Sequence, residues 1–215
     1  MATAVEEIKK LQRSTEDRER DYFTIPEFEI VADLFPDHRL ELINGEIVMS
    51  PPPDKRHQKH TLKLTRLFAR HSEDIEKLEC DIGAGGHYFE VPEEIGRQFM
   101  NKSGGYPSDV CPDASICYQD YLDIDRCPPA LLVIEILSDS KREHVFRDMA
   151  TKPEIYSALE IPTYWIVDRR SESVWVHTGP NEGGYASRQQ LKGNVILPAP
   201  GLEFLQITPA QIFAD

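Results

Sequence analysis

The 215-residue sequence has few of the features that mark exported, membrane-bound or zinc-binding proteins. Its four cysteines form no CxxC pair, and no stretch resembles a signal peptide or a membrane-spanning helix. We therefore expect a reduced, cytoplasmic protein that does not bind membranes. Zinc would be the alternative for Cys111, Cys117 and Cys127, but their irregular spacing favours small buried apolar side chains.

Basic residues are scarce as well, with 24 Lys and Arg against 37 Asp and Glu and a formal net charge of −13. Such a charge opposes binding to nucleic acids, because affinity for the phosphate backbone comes mainly from Lys and Arg. The basic residues are nevertheless concentrated. Residues 55–71 contain six of them and no acidic residue, so this segment is positive and the rest of the chain is strongly negative.

The basic segment has the periodicity of a helix from about residue 57 to 78. At roughly 100° per residue, Leu64, Leu67 and Phe68 share one face, and a basic stripe lies nearly opposite. The basic stripe is either solvated or in contact with phosphates. Because no acidic residues are interspersed to form i,i+4 ion pairs, we give the two interpretations equal weight. The stripe consists of Lys55, Lys59, Lys63, Arg66 and Arg70.

The remaining patterns predict an α/β (α+β) fold with a mixed β-sheet core flanked by helices. Residues 1–21 are rich in charges of both signs and predict a frayed or disordered arm, followed by a single domain over 22–215. Asn44-Gly45 predicts a hairpin turn between two strands. A short helix is expected before Pro36, and a long loop between Pro92 and Pro107. Further strands are expected near residues 87–91, 113–118, 131–137, 164–168 and 174–177, with a helix over 144–159.

Glu135 lies inside an apolar run that predicts a strand buried on both faces. A charge there needs compensation, and a bound divalent cation is the simplest source. If the helix over 144–159 is regular, Lys152 points towards the sheet and needs an anionic partner, either Glu135 or a bound phosphate. Pro153 requires that this helix either begins near Lys152 or is kinked.

Pro112-Asp113, followed by Glu135-Ile136-Leu137, resembles the signature of the PD-(D/E)XK restriction-endonuclease-like superfamily. Leu137 occupies the place where that signature has lysine, and Lys152 on the next helix is suitably placed to replace it. The order of several segments resembles the Uma-two branch of bacterial nucleases over about residues 23–168. These segments are residues 40–48, the prolines at 51–53, His57-Gln58, residues 135–138, Asp148 with Lys152 and Tyr156, and residues 164–168.

The resemblance implies a restriction-endonuclease-like sheet and a Mg²⁺-dependent or Mn²⁺-dependent endonuclease that hydrolyses DNA. Asp113, Glu135 and the carbonyl of Ile136 would bind the metal, and Lys152 would position the attacking water or neutralise the scissile phosphate. Hard carboxylate oxygens suit these ions, which acidify bound water and stabilise the charge that develops in phosphoryl displacement. DNA contacts are expected from Lys55, Arg56, Lys59, Lys63, Arg66, Arg70 and Gln58.

Several of these residues have a second interpretation. Glu46 is either an additional catalytic acid or a solvated residue beside the hairpin turn, with Glu41 less favoured. Asp113 could form an Asx turn, Asp148 an i,i+4 ion pair with Lys152, and Tyr156 part of the core. Gln58 either binds water near the metal or faces solvent. Metal binding is also open, though less favoured than packing or phosphate contact, for His57, His60 and His71.

Two other functions remain open at this level. A catalytically silent interaction module is compatible with Leu137, Pro153 and the acidic exterior. A metal hydrolase of a small phosphorylated substrate would tolerate the net charge of −13 better than a duplex-binding protein does. Exposed strand edges would also allow a homodimer.

Overall fold

The computed structural model describes residues 22–50, 53–91, 107–120, 128–138, 145–182 and 184–214. These residues form an α+β fold with two β-sheets, and the chain divides into two compact units. The described part of the first unit is 22–50, 53, 88–91 and 107–111, and the other described residues form the second. The predicted arm over 1–21 and nearly all of the predicted loop after Pro92 lie outside the described residues. The single domain over 22–215 stays a prediction.

Within the described residues no helix is long and apolar enough to cross a membrane. In chain order the elements are α1 (Ile25–Leu34), β1 (Arg39–Ile43), β2 (Glu46–Ser50), α2 (Lys55–Ala69), α3 (Ser72–Glu76), β3 (Cys80–Gly83), β4 (Phe89–Val91), β5 (Ser108–Val110), β6 (Ala114–Tyr118), β7 (Ala130–Ile136), a π-helical turn (Arg147–Thr151), α4 (Lys152–Ala158), β8 (Thr163–Asp168), β9 (Ser173–Asn181), β10 (Gly184–Lys192) and α5 (Pro209–Phe213).

The first unit contains a four-stranded sheet in the order β2-β1-β5-β4, with α1 as its helix. Thr24 and Glu27 form a capping box at the start of α1, where Pro26 occupies the first turn. The predicted hairpin is present, with left-handed φ values of 50° at Asn44 and 75° at Gly45. As the alternation predicts, one face of the hairpin packs in the core of this unit, through Leu40, Leu42, Ile47 and Met49.

The second unit contains a six-stranded sheet in the order β10-β9-β8-β7-β6-β3. β7 and β8 are parallel and the other neighbours are antiparallel, so the prediction of a mixed sheet flanked by helices is confirmed. Leu64, Leu67 and Phe68 of α2 join the core on one face of this sheet. The predicted helix over 57–78 is wrong in its extent, because the chain turns at Arg70 and continues as α3.

The crossover between β7 and β8 corrects the prediction of one regular helix over 144–159. The described helical part begins with Val145 and Phe146, and a π-helical turn follows, in which the N–H of Lys152 donates to the carbonyl of Arg147, five residues earlier. Pro153 then lies in the first turn of α4. A proline in a regular α-helix would clash with the carbonyl four residues back, and the wider π turn relieves this. Lys152 still points inward, as predicted.

Candidate active site

Two buried carboxylates lie at the same edge of the six-stranded sheet. Asp113 immediately precedes β6, and Glu135 is the penultimate residue of β7. Ala114 pairs with Ile134 in the antiparallel ladder, so the next step brings Asp113 level with Glu135. Asp113 is 5% exposed and Glu135 is 3% exposed. The structure therefore brings together the two residues that sequence analysis selected as metal ligands.

The Asp113 carboxylate is held by two donors that act on the same oxygen. Its Oδ2 accepts a hydrogen bond of 2.8 Å from the backbone N–H of Ile136 and lies 2.9 Å from Nε2 of His57. One donor comes from the neighbouring strand and the other from the first turn of α2. Two donors on one oxygen stabilise its negative charge and restrict rotation of the carboxylate.

The Glu135 carboxylate is held by α4. Its Oε1 accepts hydrogen bonds from Nζ of Lys152 at 2.5 Å and from the hydroxyl of Tyr156 at 2.8 Å. Nζ of Lys152, which is 1% exposed, also lies 3.9 Å from Oδ1 of Asp148. The ammonium group compensates the buried charge of Glu135. The need for a metal that we inferred from burial alone therefore does not follow, and a metal has to be argued from the donor set.

Buried aromatic side chains pack beside Glu135 on this face of the sheet. The ring of Tyr156 lies 5.0 Å from the ring of Tyr164, which stacks at 5.4 Å on His177. Burial raises the pKa of the Tyr164 hydroxyl well above its usual range, and the nearby charge of Glu135 adds to this effect. Tyr164 therefore keeps its proton, and its hydroxyl donates a hydrogen bond of 2.8 Å to the carbonyl of Asp148.

The donor set fits a hard divalent cation. Among the described residues no group of three or more His, Cys, Asp or Glu side chains is arranged to hold a metal. Mg²⁺ does not need such a cage, because it keeps several waters and is commonly bound by one or two carboxylates together with substrate phosphates. Asp113 and Glu135 are the two carboxylates available for such a site, and their binding of a metal stays a prediction. The third predicted ligand, the carbonyl of Ile136, stays a prediction.

Helix α2 presents its basic residues to solvent. Lys55, Arg56, Lys59, Arg66 and Arg70 are exposed, and so is Gln58. Lys63 is half-buried, and its Nζ donates to the carbonyl of Ala214 at 3.0 Å. The stripe is therefore exposed over most of its length, and its binding to DNA remains a prediction.

Asp54 caps α2 and connects it to the sheet. Its Oδ1 accepts from the N–H of His57 at 2.7 Å and from Nη1 of Arg169 at 3.0 Å. These two donors lower the pKa of the Asp54 carboxyl, the His57 N–H most strongly. Arg169 also donates from Nε to the carbonyl of Leu137 at 2.9 Å. Because β7 and β8 are parallel, residues that follow each strand meet at the same edge.

The burial of the two hairpin glutamates does not follow the order in which the sequence favoured them as catalytic acids. Glu46, the favoured additional acid, is exposed at the start of β2. Glu41, the less favoured one, is 1% exposed and accepts a hydrogen bond of 3.1 Å from the N–H of Cys111. Both belong to the first unit. The catalytic role of Glu46 stays a prediction.

From the sequence, His57 was only a less favoured metal ligand and was not expected to contact Asp113, and Arg169 was missed. A signal for His57 existed, since it precedes Leu64 by 7 residues and Phe68 by 11, which puts it on the buried face of α2. Arg169 had no comparable signal. It follows a buried strand as the first of two arginines, and only the three-dimensional arrangement shows that its side chain is 6% exposed.

The fold is that of nuclease-like α+β proteins. The structure matches that of “a putative nuclease belonging to DUF820” from Anabaena variabilis with a TM-score of 0.54 and 16% identity, covering 81% of this chain and 89% of that one. The chain belongs to the Uma2 family, described as “Putative restriction endonuclease”, whose model matches residues 25–210. Comparison with curated proteins found no match. The predicted family resemblance is thereby confirmed.

Proposed function

We propose that this protein is a divalent-metal-dependent nuclease that hydrolyses phosphodiester bonds in DNA. The observation that carries the proposal is the pairing of Asp113 with Glu135 at one edge of the sheet, with Lys152 in contact with Glu135. Membership of the Uma2 family supports the reaction class. The metal and the DNA substrate are the parts that need a direct test.

Each residue of the site has a definite task in this proposal. Asp113, Glu135 and the carbonyl of Ile136 would hold Mg²⁺ or Mn²⁺, which when bound acidifies water and stabilises charge on the phosphate. Lys152 brings a fixed positive charge into a buried site, where it can face a non-bridging phosphate oxygen. Tyr156 holds the oxygen of Glu135 that Lys152 contacts, so the carboxylate keeps its orientation.

Helix α2 supplies the surface for the flanking phosphates. Its first turn contains His57, which contacts Asp113, so the basic stripe begins beside the acidic pair. From Lys55 to Arg70 the stripe extends over about 22 Å, a distance that spans several nucleotides. Cations along this line offset the unfavourable net charge of the chain.

The proposal is tested by cleavage of short single-stranded and duplex DNA in Mn²⁺ or Mg²⁺, with chelator as the blank. We expect cleavage that Asp113→Asn and Lys152→Met abolish. Lys59→Gln should weaken DNA binding and make the dependence of log affinity on log salt shallower by about 1. Lys77→Gln is the matched control, because Lys77 is also exposed but follows α3 and lies outside the basic stripe. Metal-independent cleavage, or cleavage that survives Asp113→Asn, would contradict the proposal.

A catalytically silent interaction module is the second candidate. The observation in its favour is that Lys152 already compensates the charge of Glu135, so the site is electrostatically complete without a cation. This candidate predicts no cleavage under any metal condition.

A hydrolase of small phosphorylated substrates predicts turnover that changes little with salt. The additional acid Glu46 and a homodimer belong to the nuclease proposal as further expectations.

A further inference from the structure

We propose that His57 is a positioning residue that sets the orientation of Asp113 for metal binding. This inference rests on the proposed function, because it assigns Asp113 to the metal. His57 and Asp113 are separated by 56 residues in sequence, yet Nε2 of the imidazole lies 2.9 Å from Oδ2 of the carboxylate, and both side chains are buried. The contact links the basic helix to the predicted metal ligand.

The direction of the hydrogen bond follows from the surroundings of the ring. An ionised carboxylate can only accept, so Nε2 of His57 carries the proton. Nδ1 is buried and has no hydrogen-bond partner among the residues that the structure describes. Nε2 is therefore the nitrogen through which His57 donates to Asp113.

The ring is itself held in place at its backbone. The N–H of His57 donates to Asp54, and Asp54 is anchored by Arg169, which also donates to the carbonyl of Leu137. Leu137 lies two residues after Glu135. The first turn of α2 is thus attached to both strands that carry the candidate metal ligands, to one through an imidazole and to the other through a guanidinium. Outer contacts of this kind fix ligand orientation in metal sites.

The alternative is that His57 only fills space at the start of α2. The two roles are separable because the space-filling role needs only volume, whereas positioning needs a donor at Nε2. His57→Leu keeps most of the volume and removes the donor. His57→Gln places an amide N–H close to the position of Nε2. His60→Leu is the matched control, since His60 lies one turn later on α2 and packs edge-on at 5.4 Å from Phe213.

The test is calorimetric titration of Mn²⁺ into the full-length wild type, the three histidine variants and Asp113→Asn, with a thermal unfolding curve for each. We expect His57→Leu to bind Mn²⁺ about 10-fold to 100-fold more weakly than the wild type, the range measured for residues that orient metal ligands. His57→Gln should recover most of the affinity, and His60→Leu should bind like the wild type.

Failure of this inference can be distinguished from failure of the proposed function. If His57→Leu binds Mn²⁺ as tightly as the wild type while Asp113→Asn does not bind, His57 has no positioning role and the metal site stands. If His57→Leu and His57→Gln lose affinity equally, or both fail to fold, His57 is a packing residue and the inference is overturned. If the wild type binds no Mn²⁺, the proposed function and the inference fall together.

Discussion

Both sheets bury acidic side chains, but the two units treat them differently. In the first unit Asp109 is 7% exposed, and its Oδ1 has no hydrogen-bond partner among the described residues. Burial raises the pKa of Asp109 to about 7, and the nearby carboxylates of Glu90, Glu41 and Glu29 add to this effect. In the second unit, donors and an ammonium group surround Asp113 and Glu135.

This comparison shows that burial of an acid does not by itself indicate a metal site. A buried acid such as Asp109, which lies near other carboxylates and has an oxygen without a hydrogen-bond partner among the described residues, favours the protonated form, which is a poor ligand. Acids whose oxygens are fixed by N–H and ammonium groups keep their charge and orientation, which a metal requires.

The largest expected difference between the units is in catalysis. Asp113→Asn should reduce DNA cleavage on the order of a thousandfold, since a metal ligand contributes several kcal/mol to the transition state. Asp109→Asn removes an equally buried acid from the other unit and should leave cleavage unchanged. Single-turnover cleavage rates measured side by side check this. Equal losses in both variants would mean that the acids of the first unit also take part in the reaction.

The next largest difference is in stability. Glu135→Gln leaves the ammonium of Lys152 buried without its main partner, and we expect a loss of about 3–5 kcal/mol in the free energy of unfolding. The double variant Glu135→Gln, Lys152→Met removes both charges and should be closer to the wild type than the sum of the single variants. Urea unfolding of the wild type, the two single variants and the double variant gives the coupling free energy between Glu135 and Lys152. Additive losses would show that the ion pair is not an energetic unit.

Asp109 should make stability depend on pH in the opposite sense to an ion-paired acid. Its pKa rises from 3.8 in the unfolded chain to about 7 in the folded protein. Between these values the unfolded chain loses the proton first, so stability falls as pH rises from about 4 to 7 and then levels off. Asp109→Asn should therefore stabilise the protein at pH 8, by up to about 4 kcal/mol, and change little at pH 4.

Urea unfolding of the wild type and Asp109→Asn across that range checks this sign. A stabilisation that is the same at pH 4 and pH 8 would mean that the effect comes from packing rather than from ionisation of Asp109.

The smallest effect concerns the two helix caps. Thr24→Ala in α1 and Asp54→Ala in α2 each remove an N-cap, and each should cost about 1 kcal/mol in the free energy of unfolding. Only Asp54→Ala should also weaken Mn²⁺ binding, because Asp54 holds the backbone N–H of His57. Thermal unfolding with Mn²⁺ titration separates the two effects. Equal Mn²⁺ affinities in both variants would show that the cap of α2 does not influence metal binding.

Local signals predicted much of the fold. The Asn-Gly turn specified the hairpin, since only a few residue types accept two consecutive left-handed conformations. The apolar run around Glu135 predicted a strand buried on both faces. The inward direction of Lys152 was also predictable, because a lysine on the docking face of a helix must meet an acid in the core.

Other features depend on contacts between residues that are distant in sequence. β3 and β5 have four and three residues, too few for an alternating pattern to be visible. The π-helical turn accommodates Pro153 within the helical segment. From the sequence we expected only that the helix is kinked or begins near Lys152. The Asp54–Arg169 contact joins residues 115 positions apart. The difference in burial between Glu41 and Glu46 arises from pairing with β5, which the hairpin pattern does not contain.

The most direct test of the metal site is anomalous diffraction from a crystal of the wild-type protein soaked in Mn²⁺. We expect one strong peak within about 2–2.6 Å of carboxylate oxygens of both Asp113 and Glu135. No peak should occur beside Asp109 and Glu41 in the first unit. A peak only at those acids, or none at Asp113 and Glu135 in a crystal that binds Mn²⁺ elsewhere, would contradict metal binding by Asp113 and Glu135.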